Sequence, residues 1–425
     1  MAQTLKFGNK TWATKVGSTL AYNDENGNYK PLPFNFTRST SATRVNKEGL
    51  IEVVTNDRPR IDYTDTSDGV LLLENAATNL IPYSEDFSQW IASDLTVTDN
   101  NAISPDGTLN ASKLTAVSGN ATKRIQETGF TTTSTDRCYS IFVKTDDIKA
   151  IQLLHSGDLQ GFARFDLVDY TVGSVGGKTT AIIEDYGNGW YKCTAIFNST
   201  NAFGSSLYVY FSDSAIGSYG GTSSQVGDLF IYGAQYEEGS YPSSYIPTQG
   251  SVVTRAAETA SGAGNSEVFN DSEGVLFADI AANANDGTNR YIGLTDGTTS
   301  NRINILIDDA NKLIGFVSGS SGIESNVDVT NFSKCAFKYK SGSNNFWVNG
   351  FKVGSTTDAI SLSGLSDISF NTAYPANTAS PFYGKTKEIS YYDTILTDLE
   401  LETLTSYKSW TSMVNELNLN IIYNG

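Results

Sequence analysis

The chain has 425 residues, which is enough for two or three domains of ordinary size. Asp and Glu number 46 against 29 Lys and Arg, giving a formal net charge of -17. Because binding of nucleic-acid phosphates requires a concentrated positive face, this balance argues against a nucleic-acid-binding protein.

The N-terminal segment, residues 1–36, predicts an extended arm and not a domain. Phe7, Trp12 and Tyr22 give it apolar anchors but too few for a core, and Lys15 belongs to a mildly basic stretch, residues 1–60, with nine Lys or Arg against five Asp or Glu. A segment that cannot fold alone but carries aromatic rings and positive charge suits docking onto a partner protein. We therefore expect Phe7, Trp12, Lys15 and Tyr22 to contact that partner; the alternative is a polar tail with random charge.

The sequence lacks the pattern of a secretion signal or of a membrane span. Its first residues, MAQTLKFGNKTW, have no apolar core, and no run of 18 apolar residues occurs. We therefore expect synthesis in a cytoplasm without a classical export signal, and no insertion into a membrane.

Alternating apolar and polar runs recur through most of the chain and predict short antiparallel strands. Turn signals such as GNG, NDG and GG separate them, a pattern typical of antiparallel sandwiches or barrels. In FWVNGFKV, Asn349 and Gly350 predict a two-residue type I′ hairpin, since both positions require positive φ. The other predicted strands are YSIFVKT (139–145), FARFDLV (162–168), WYKCTAIF (190–197), SLYVYFSD (206–213), DLFIYGAQ (228–235), VLFADI (275–280), RINILID (302–308) and CAFKYK (335–340).

A segment rich in tyrosine, proline and glycine, residues 239–250, follows the strand DLFIYGAQYE. Proline lacks the ladder donor and glycine weakens strand packing, so the first sandwich should end near Glu238. We expect this segment, the ribbon, to lie across the sandwich with tyrosines such as Tyr245 packed by their faces and their hydroxyls in water. The small residues of SGAGNS (261–266) predict a linker, and a new block of strands should begin near Gly274.

One short helix is predicted near the C-terminus. Thr397 and Glu400 have the spacing of a capping box, in which the Thr hydroxyl accepts the backbone amide of Glu400 and the Glu side chain reaches back. Leu401 and Leu404 continue the helical pattern, so the helix should run towards Trp410 or Met413.

Four separated motifs in the first 258 residues resemble, in the same order, a module of bacteriophage virion proteins, especially tail-fibre, head-fibre and tail-spike components. The motifs are TRSTSATRVNKEGLIE (37–52), LLLENAATNLIPYSEDFSQW (71–90), YGNGWYKCTAIF (186–197) and GAQYEEGSYPSSYIPT with VTRAAE (233–258). The resemblance implies a carbohydrate-binding-like β-sandwich of the jelly-roll kind over residues 37–258. It also implies attachment of the N-terminus to the virion and a homotrimer, although no heptad run or collagen-like repeat is present.

A second block, from EGVLFADI to FYGKTKEISYYDTILTDLELETL (382–404), is similar to laminin-G or concanavalin-like sandwiches. The resemblance implies a second sandwich whose last hairpin strand is followed by a short helix. Such folds occur in lectins, glycanases and inert spacers alike, so the fold does not settle the function.

The predicted fold class is therefore all-β: two tandem antiparallel β-sandwiches of the jelly-roll type, an extended N-terminal arm and one short C-terminal helix. The predicted segments are a virion-docking arm (1–36), the carbohydrate-binding-like sandwich module (37–258), a linker (259–273) and the laminin-G/concanavalin-like sandwich with its helix and tail (274–425).

The sequence predicts no catalytic residue. His155 is the lone histidine, it has no GxSxG-type partner motif, and we expect it at the surface where a strand ends. Glycoside hydrolysis requires two facing carboxylates. Glu237 and Glu238 should point to opposite faces of a strand, and Glu85 with Asp86 should cap a turn.

Calcium is the one cofactor that the sequence leaves open. Asp62, Asp65 and Asp68 in IDYTDTSDG have a spacing that brings carboxylates together, but the bidentate Glu of an EF-hand loop is missing. Sugar binding would use an exposed aromatic ring with polar neighbours, and the 23 Tyr, 21 Phe and 5 Trp provide too many candidates to select one.

The predicted function is that of a structural phage virion protein, a head- or tail-fibre or decoration subunit that displays glycan-binding-type domains. Its expected partners are other virion proteins through the N-terminal arm, further copies of itself, and glycans on the host or in the environment. The alternatives are a virion-associated glycan depolymerase on the same scaffold and an inert assembly spacer.

Overall fold

The computed structural model describes residues 4–8, 10–20, 31–130, 136–157, 159–198, 206–371, 380–417 and 419. These residues are nearly all in strands and turns, which confirms the predicted all-β class. In this part of the chain no helix has the length and apolar character needed to cross a membrane. The chain divides into two compact units: unit 1 is Met1–Ser41, Val54–Asn75 and Ala256–Gly425, and unit 2 is Ala42–Val53 and Ala76–Arg255.

The strands and helices of the described residues are numbered in chain order. The first strands are β1 (Leu5–Gly8), β2 (Ala13–Lys15), β3 (Ser18–Leu20), β4 (Phe34–Thr37), β5 (Ala42–Val45), β6 (Ile51–Val54), β7 (Arg60–Asp62), β8 (Val70–Leu73), β9 (Ala77–Asn79), β10 (Ile91–Ser93), β11 (Leu95–Ile103), β12 (Leu109–Ala116), β13 (Arg124–Thr128), β14 (Arg137–Thr145), β15 (Ala150–His155) and β16 (Phe162–Asp166). The next are β17 (Thr171–Val175), β18 (Thr179–Asp185), β19 (Tyr191–Phe197), β20 (Ser206–Phe211), β21 (Gly227–Glu238), β22 (Val253–Arg255), β23 (Thr259–Ser261), β24 (Glu273–Ala282), β25 (Arg290–Thr295), β26 (Arg302–Ile307), β27 (Leu313–Val317) and β28 (Ile323–Ser325). The last are β29 (Ser333–Lys340), β30 (Asn344–Val348), β31 (Phe351–Thr356), β32 (Asp367–Ser369), β33 (Gly384–Tyr392), α1 (Asp398–Thr405) and α2 (Trp410–Glu416).

Unit 2 is built from two six-stranded antiparallel sheets. Their strand orders are β10-β13-β20-β15-β16-β17 and β11-β12-β21-β14-β19-β18. Apolar side chains from both sheets share one core, for example Ile151 and Leu153 of β15 with Ile141 and Val143 of β14. Alternate residues of these strands therefore point inward, and the residues between them point away from the core.

Unit 1 has a larger sheet and a smaller sheet around its own core. The larger sheet has the order β31-β30-β29-β24-β33-β8-β7, with β1 also on β33, and the smaller has the order β28-β27-β26-β25-β32. Ile305 of β26 and Phe337 of β29 are among the fully buried residues that the two sheets contribute. A four-stranded sheet, β2-β3-β4-β23, completes the unit.

The N-terminal residues that the sequence predicted as a free arm are part of unit 1. Strand β1 pairs with β33, from Leu5 opposite Tyr391 to Gly8 opposite Glu388. Phe7 is fully buried, with its ring centroid 4.6 Å from that of Phe34. The apolar side chains of β1 are too few for a core of their own, but they fill part of the core of unit 1.

The predicted segment boundaries at 37–258 and 259–273 do not follow the compact units. Strands β7 and β8 pair with each other, and β8 pairs with β33, so these early strands belong to unit 1. Strand β23 lies in the predicted linker and pairs with β4, and Ala263 after it is fully buried. The segment 259–273 is therefore a structured part of unit 1. Local composition contains no signal for pairings between segments so far apart in the sequence.

The predicted C-terminal helix is two helices. The capping box is confirmed, because the Glu400 amide donates to the Thr397 hydroxyl at 3.3 Å and the Glu400 carboxylate accepts the Thr397 amide at 2.9 Å. Helix α1 ends at Thr405, and α2 has its own cap at Ser409, whose hydroxyl accepts an amide of α2 at 3.1 Å. Ser409 therefore starts a separate helix. For this reason the helical pattern of the sequence continues to Trp410 although α1 ends at Thr405.

Two other local predictions are confirmed. Strand β21 ends at Glu238, where the ribbon begins. Asn349 and Gly350 have φ values of 51° and 87°, as a type I′ hairpin between β30 and β31 requires.

Candidate functional site

The outer face of one sheet of unit 2 carries two rows of side chains that cross five strands. Ile125, Leu207 and Val209 point into the core, so the residues between them in β13 and β20 point outward. The register aligns these outward residues with those of the neighbouring strands. The first row is Ser93, Arg124, Tyr210, Gln152 and Arg164, and the second is Ile91, Gln126, Tyr208, Leu154 and Phe162. We call these ten side chains the tyrosine face.

The loop between β20 and β21 fills one half of the tyrosine face. Arg164 donates to three backbone carbonyls of this loop at 2.6–3.0 Å. Gln152 donates to the same loop at 3.0 Å and accepts one of its amides at 2.7 Å. The loop also places the ring of Tyr219 at a centroid distance of 6.3 Å from Phe162. These hydrogen bonds hold the loop in place and satisfy the polar side chains of Arg164 and Gln152 beneath it.

The other half of the tyrosine face is built around Arg124. The Arg124 guanidinium lies 4.9 Å from the ring centroid of Tyr208 and 5.5 Å from that of Tyr210, and its Nη1 donates to the Tyr210 hydroxyl at 2.6 Å. Tyr208 and Gln126 are both half-buried, so each keeps part of its surface in solvent. Within the described residues, the Arg124 Nε is buried without a hydrogen-bond partner.

No specific sequence signal identifies this half of the face. Arg124 and Gln126 lie in KRIQET, and Tyr208 and Tyr210 in SLYVYFSD, and both stretches alternate as half-buried strands do. Alternation shows which residues share a face within one strand. Only the pairing of β13 with β20, 78 or more residues apart in sequence, brings the arginine over the two rings.

A second polar cluster lies on the outer side of the other sheet of unit 2, and we call it the Glu85 cluster. The Tyr232 hydroxyl lies 3.2 Å from the Glu85 carboxylate and 3.1 Å from that of Asp106. The Tyr245 hydroxyl donates to Glu85 at 2.9 Å. A phenol has one proton, so Tyr232 can donate to only one of the two carboxylates at a time.

The two carboxyl groups of the Glu85 cluster have pKa values that move in opposite directions. Burial raises the pKa of Glu85. Burial alone would also raise the pKa of Asp106, but hydrogen bonds from Ser104 and Thr108 hold it below its usual value. The Asp106 carboxylate also accepts the Asn110 amide at 3.0 Å, so it is a turn-forming group with little free hydrogen-bonding capacity.

The ribbon packs across unit 2 as the sequence predicted, but its buried tyrosine is not hydrated. The ring of Tyr245 lies 5.6 Å from that of Tyr232 and 6.1 Å from that of Phe142. Its hydroxyl lies 2.7 Å from the Ser84 hydroxyl and also contacts Glu85. The expectation of a wet hydroxyl was wrong because the segment around Ser84 covers this tyrosine.

Residues from the recurring motifs form a buried ion cluster in unit 1, which we call the Glu258 cluster. Glu258 accepts hydrogen bonds from Arg38 at 2.6 Å and from the Arg60 Nε at 2.8 Å. Arg60 also pairs with Glu74 at 2.9 Å, and the Glu74 amide donates to Glu258 at 2.9 Å. All four side chains are buried. The acidic partners raise the pKa of Arg60 although its burial acts in the opposite direction.

The residues predicted to dock onto a virion partner do not form one surface. Phe7 is in the core of unit 1, Trp12 is half-buried against that core, and Lys15 is exposed. Tyr22 lies outside the described residues. Phe7 therefore has a structural role and is not available for docking, because pairing of β1 with β33 buries it.

The three candidate calcium ligands do not converge on a common site in the structure. Asp62 is buried and accepts the Thr64 amide at 2.9 Å. Asp65 lies 2.6 Å from the amine of Lys385, and the carboxylate of Asp68 pairs with another lysine at 3.2 Å. Over the described ranges, no group of three or more His, Cys, Asp or Glu side chains has the arrangement to hold a metal ion.

His155 is buried in the core of unit 2 and not at the surface as predicted. Its Nδ1 lies 2.9 Å from the Ser156 carbonyl, and its Nε2 lies 2.8 Å from the Tyr236 hydroxyl. A carbonyl only accepts, so Nδ1 carries the proton and Nε2 accepts from the phenol. Burial, with a smaller effect of Arg137 in the same direction, lowers the pKa of His155 to about 4 against the opposing effect of the Ser156 carbonyl.

In each of the two carboxylate pairs named from the sequence, one member accepts a backbone amide of a neighbouring turn or segment. Asp86 caps a 3-10 turn by accepting the Ser88 amide at 3.2 Å, as predicted. Glu237 is buried and accepts the amide of Ser243 at 2.8 Å and a side-chain amide of Gln235 at 2.7 Å. The Glu85 contact to Tyr232 and Tyr245 was not foreseen, because the phenols come from distant segments.

The chain matches no protein-family model and no curated protein. Among solved structures it is similar to the CBM40 domain of the Ruminococcus gnavus IT-sialidase bound to α2,3-sialyllactose, at 15% identity, covering 32% of this chain and 84% of that chain with a TM-score of 0.29. Domain 4 of the AbnA arabinanase of Geobacillus stearothermophilus, in complex with arabinotriose, gives 13% identity, coverage of 35% and 73%, and a TM-score of 0.29. Domains LG4-5 of the mouse laminin α1 chain give 10% identity, coverage of 81% and 94%, and a TM-score of 0.23. Similarity at this level carries no argument about function, which has to rest on the side chains of this chain.

Proposed function

We propose that this chain is a glycan-binding structural protein of a phage virion, a head- or tail-fibre or decoration subunit, and that it binds sugar at the exposed half of the tyrosine face. The virion assignment rests on the sequence motifs of residues 37–258. The binding assignment rests on one observation: a tyrosine, an amide and a guanidinium, each half-buried with part of its surface in solvent, stand side by side on a sheet of unit 2.

Sugar binding requires the combination that this half of the face offers. The edge or face of an aromatic ring contacts the apolar side of a pyranose, and polar groups around it bond the hydroxyls. Gln126 lies directly opposite Tyr208 in the register, and Arg124 lies over the Tyr208 ring. Residues two apart in a strand are separated by about 7 Å, a span that one sugar ring bridges.

The proposal assigns no hydrolytic role to the Glu85 cluster. A catalytic pair requires a carboxylate with free lone pairs to act as base or nucleophile. Asp106 accepts from its own turn through Ser104, Thr108 and Asn110, and Tyr232 occupies the space between it and Glu85. These contacts favour a structural role beneath the ribbon.

The binding proposal is tested on a glycan array with the full chain and two variants. Tyr208→Ala removes the ring, and Gln126→Ala removes the amide with a smaller effect on folding. Tyr291→Ala, which removes a half-buried tyrosine from unit 1, is the matched control. We expect both face variants to lose at least tenfold in affinity for whichever glycan the wild type binds, and the control to bind as the wild type does.

Three outcomes separate the alternatives. Binding that survives both face variants would place the site elsewhere. Absence of binding to any glycan, together with presence of the chain in purified particles, would favour the inert spacer. Release of reducing ends from a bound glycan, lost in Glu85→Gln, would favour the depolymerase and contradict the assignment of the Glu85 cluster.

A further inference from the structure

We infer that the sugar recognised at the tyrosine face carries a carboxylate, and that Arg124 is the residue that binds it. This inference rests on the proposed glycan-binding function and names its ligand class. The ten side chains of the face include two arginines and no Asp or Glu, in a chain with 46 acidic against 29 basic residues. A face without acidic residues on so acidic a protein favours an anionic ligand over a neutral one.

Arg124 and Arg164 differ in how their charges are satisfied. Arg164 is buried and donates to backbone carbonyls of the loop between β20 and β21, so its role is to hold that loop. Arg124 has one hydrogen bond, from Nη1 to the neutral hydroxyl of Tyr210. In the part of the chain that the structure describes, no carboxylate pairs with Arg124.

Four acidic residues lie beside the face in sequence, and among the described residues none of them pairs with Arg124: Asp94, Glu127, Asp166 and Asp213. Asp166 is on the same side of β16 as Arg164, and its carboxylate accepts the amides of Val168 and Asp169. Glu127 follows Gln126 in β13, so its side chain points to the opposite side of the sheet. Asp213 follows β20 and accepts hydrogen bonds from Ser223 and its neighbours within its own loop.

A half-buried guanidinium without a counter-ion is energetically unfavourable unless a ligand supplies the opposite charge. Partial burial weakens the hydration of the charge, and two aromatic rings replace only part of it. The planar fork of arginine matches the two oxygens of a carboxylate and binds them with two parallel hydrogen bonds. With the carboxylate on Arg124, Gln126 and the Tyr208 hydroxyl lie where they can bond the hydroxyls of the same sugar.

The test compares one oligosaccharide in its acidic and neutral forms. The probes are trigalacturonate and the same trisaccharide with its carboxyl groups reduced to alcohols, together with an array of uronic-acid, sialic-acid, sulfated and neutral glycans. Because charge-assisted hydrogen bonds contribute more than neutral ones, we expect acidic probes to bind about tenfold to a hundredfold more tightly than their neutral counterparts. Binding of the acidic probes should weaken as NaCl is raised.

Two substitutions at Arg124 separate charge from geometry. Arg124→Gln should abolish the preference for the acidic form, and Arg124→Lys should retain part of it, since the charge remains and the fork is lost. Arg302→Gln is the matched control, because Arg302 in unit 1 also lies over a ring, at 5.3 Å from the Phe316 centroid. The control should leave both affinities unchanged.

The outcomes distinguish this inference from the function on which it rests. Equal binding of the acidic and reduced trisaccharides, or a preference for sulfated over carboxylated glycans, would overturn the carboxylate assignment and leave glycan binding intact. An acidic preference that persists in Arg124→Gln would move the assignment to another residue. Failure of every probe to bind at millimolar concentration would overturn the proposed function itself.

Discussion

Acidification should destabilise unit 2 through its single histidine. His155 is fully buried, and its neutral form is held by a donor contact to Ser156 and an acceptor contact to Tyr236. Folding lowers its pKa from 6.5 to about 4. A cationic group with a lowered pKa binds fewer protons when folded, so stability is complete above pH 6.5 and is lost as the pH falls towards 4.

The expected loss follows from the size of that shift. Each pKa unit corresponds to about 1.4 kcal/mol, so the shift of His155 removes about 3 kcal/mol of the free energy of unfolding between pH 8 and pH 4. Carboxylates titrate in the same range and contribute to the total. The effect of the imidazole is therefore the difference between the wild type and His155→Gln, which cannot titrate but can still form a hydrogen bond.

Urea unfolding of both proteins from pH 8 to pH 4, monitored by tryptophan fluorescence, measures this difference. The wild type should lose about 3 kcal/mol more than His155→Gln over the range. The lone imidazole also gives a single NMR titration, which should show no protonation down to about pH 5. Parallel stability profiles, or an imidazole that titrates near 6.5, would refute the reasoning and place the ring in water.

Two further predictions concern the other buried charges. Glu258→Gln should lower the free energy of unfolding by about 3–5 kcal/mol in urea titration, because Arg38 and Arg60 lose their shared counter-charge. The control Glu324→Gln, at a pair with Lys312 on the surface, should change it little. For Glu85, folding raises the pKa, so the stability that it contributes is present at low pH and is lost as the pH rises through its folded value. Glu85→Gln should therefore become progressively more stable than the wild type as the pH rises, and parallel profiles would contradict this.

The sequence predicted those features that depend on neighbouring residues. The hairpin at Asn349 and Gly350, the cap at Thr397 and the end of β21 at Glu238 each follow from the conformational preferences of a few adjacent residues. The all-β class follows from alternation repeated in many strands. These signals are local, and they remain valid whichever strands later become neighbours.

The features that failed depend on pairings between distant segments. Composition showed that the first residues cannot form a core, but it did not show that Phe7 completes the core that β33 and Phe34 build. The same limit applies to His155, where an apolar run followed by a turn suggested a surface position. Its burial results from contacts with Tyr236, 81 residues later.

The motif that carried the resemblance and the surface proposed for binding are different parts of the molecule. Arg38, Glu74 and Glu258 come from three of the quoted motifs and meet in a buried ion cluster that joins the discontinuous segments of unit 1. An ion cluster of this kind requires a particular residue at each position, because removal of one partner leaves a buried charge unpaired. A sugar-binding face has no such requirement. Substitution of Arg124 or Tyr208 changes which ligand the face binds and leaves the fold unchanged. Sequence motifs of a module of this type therefore report its architecture, and its ligand has to be read from the outward residues of its sheets.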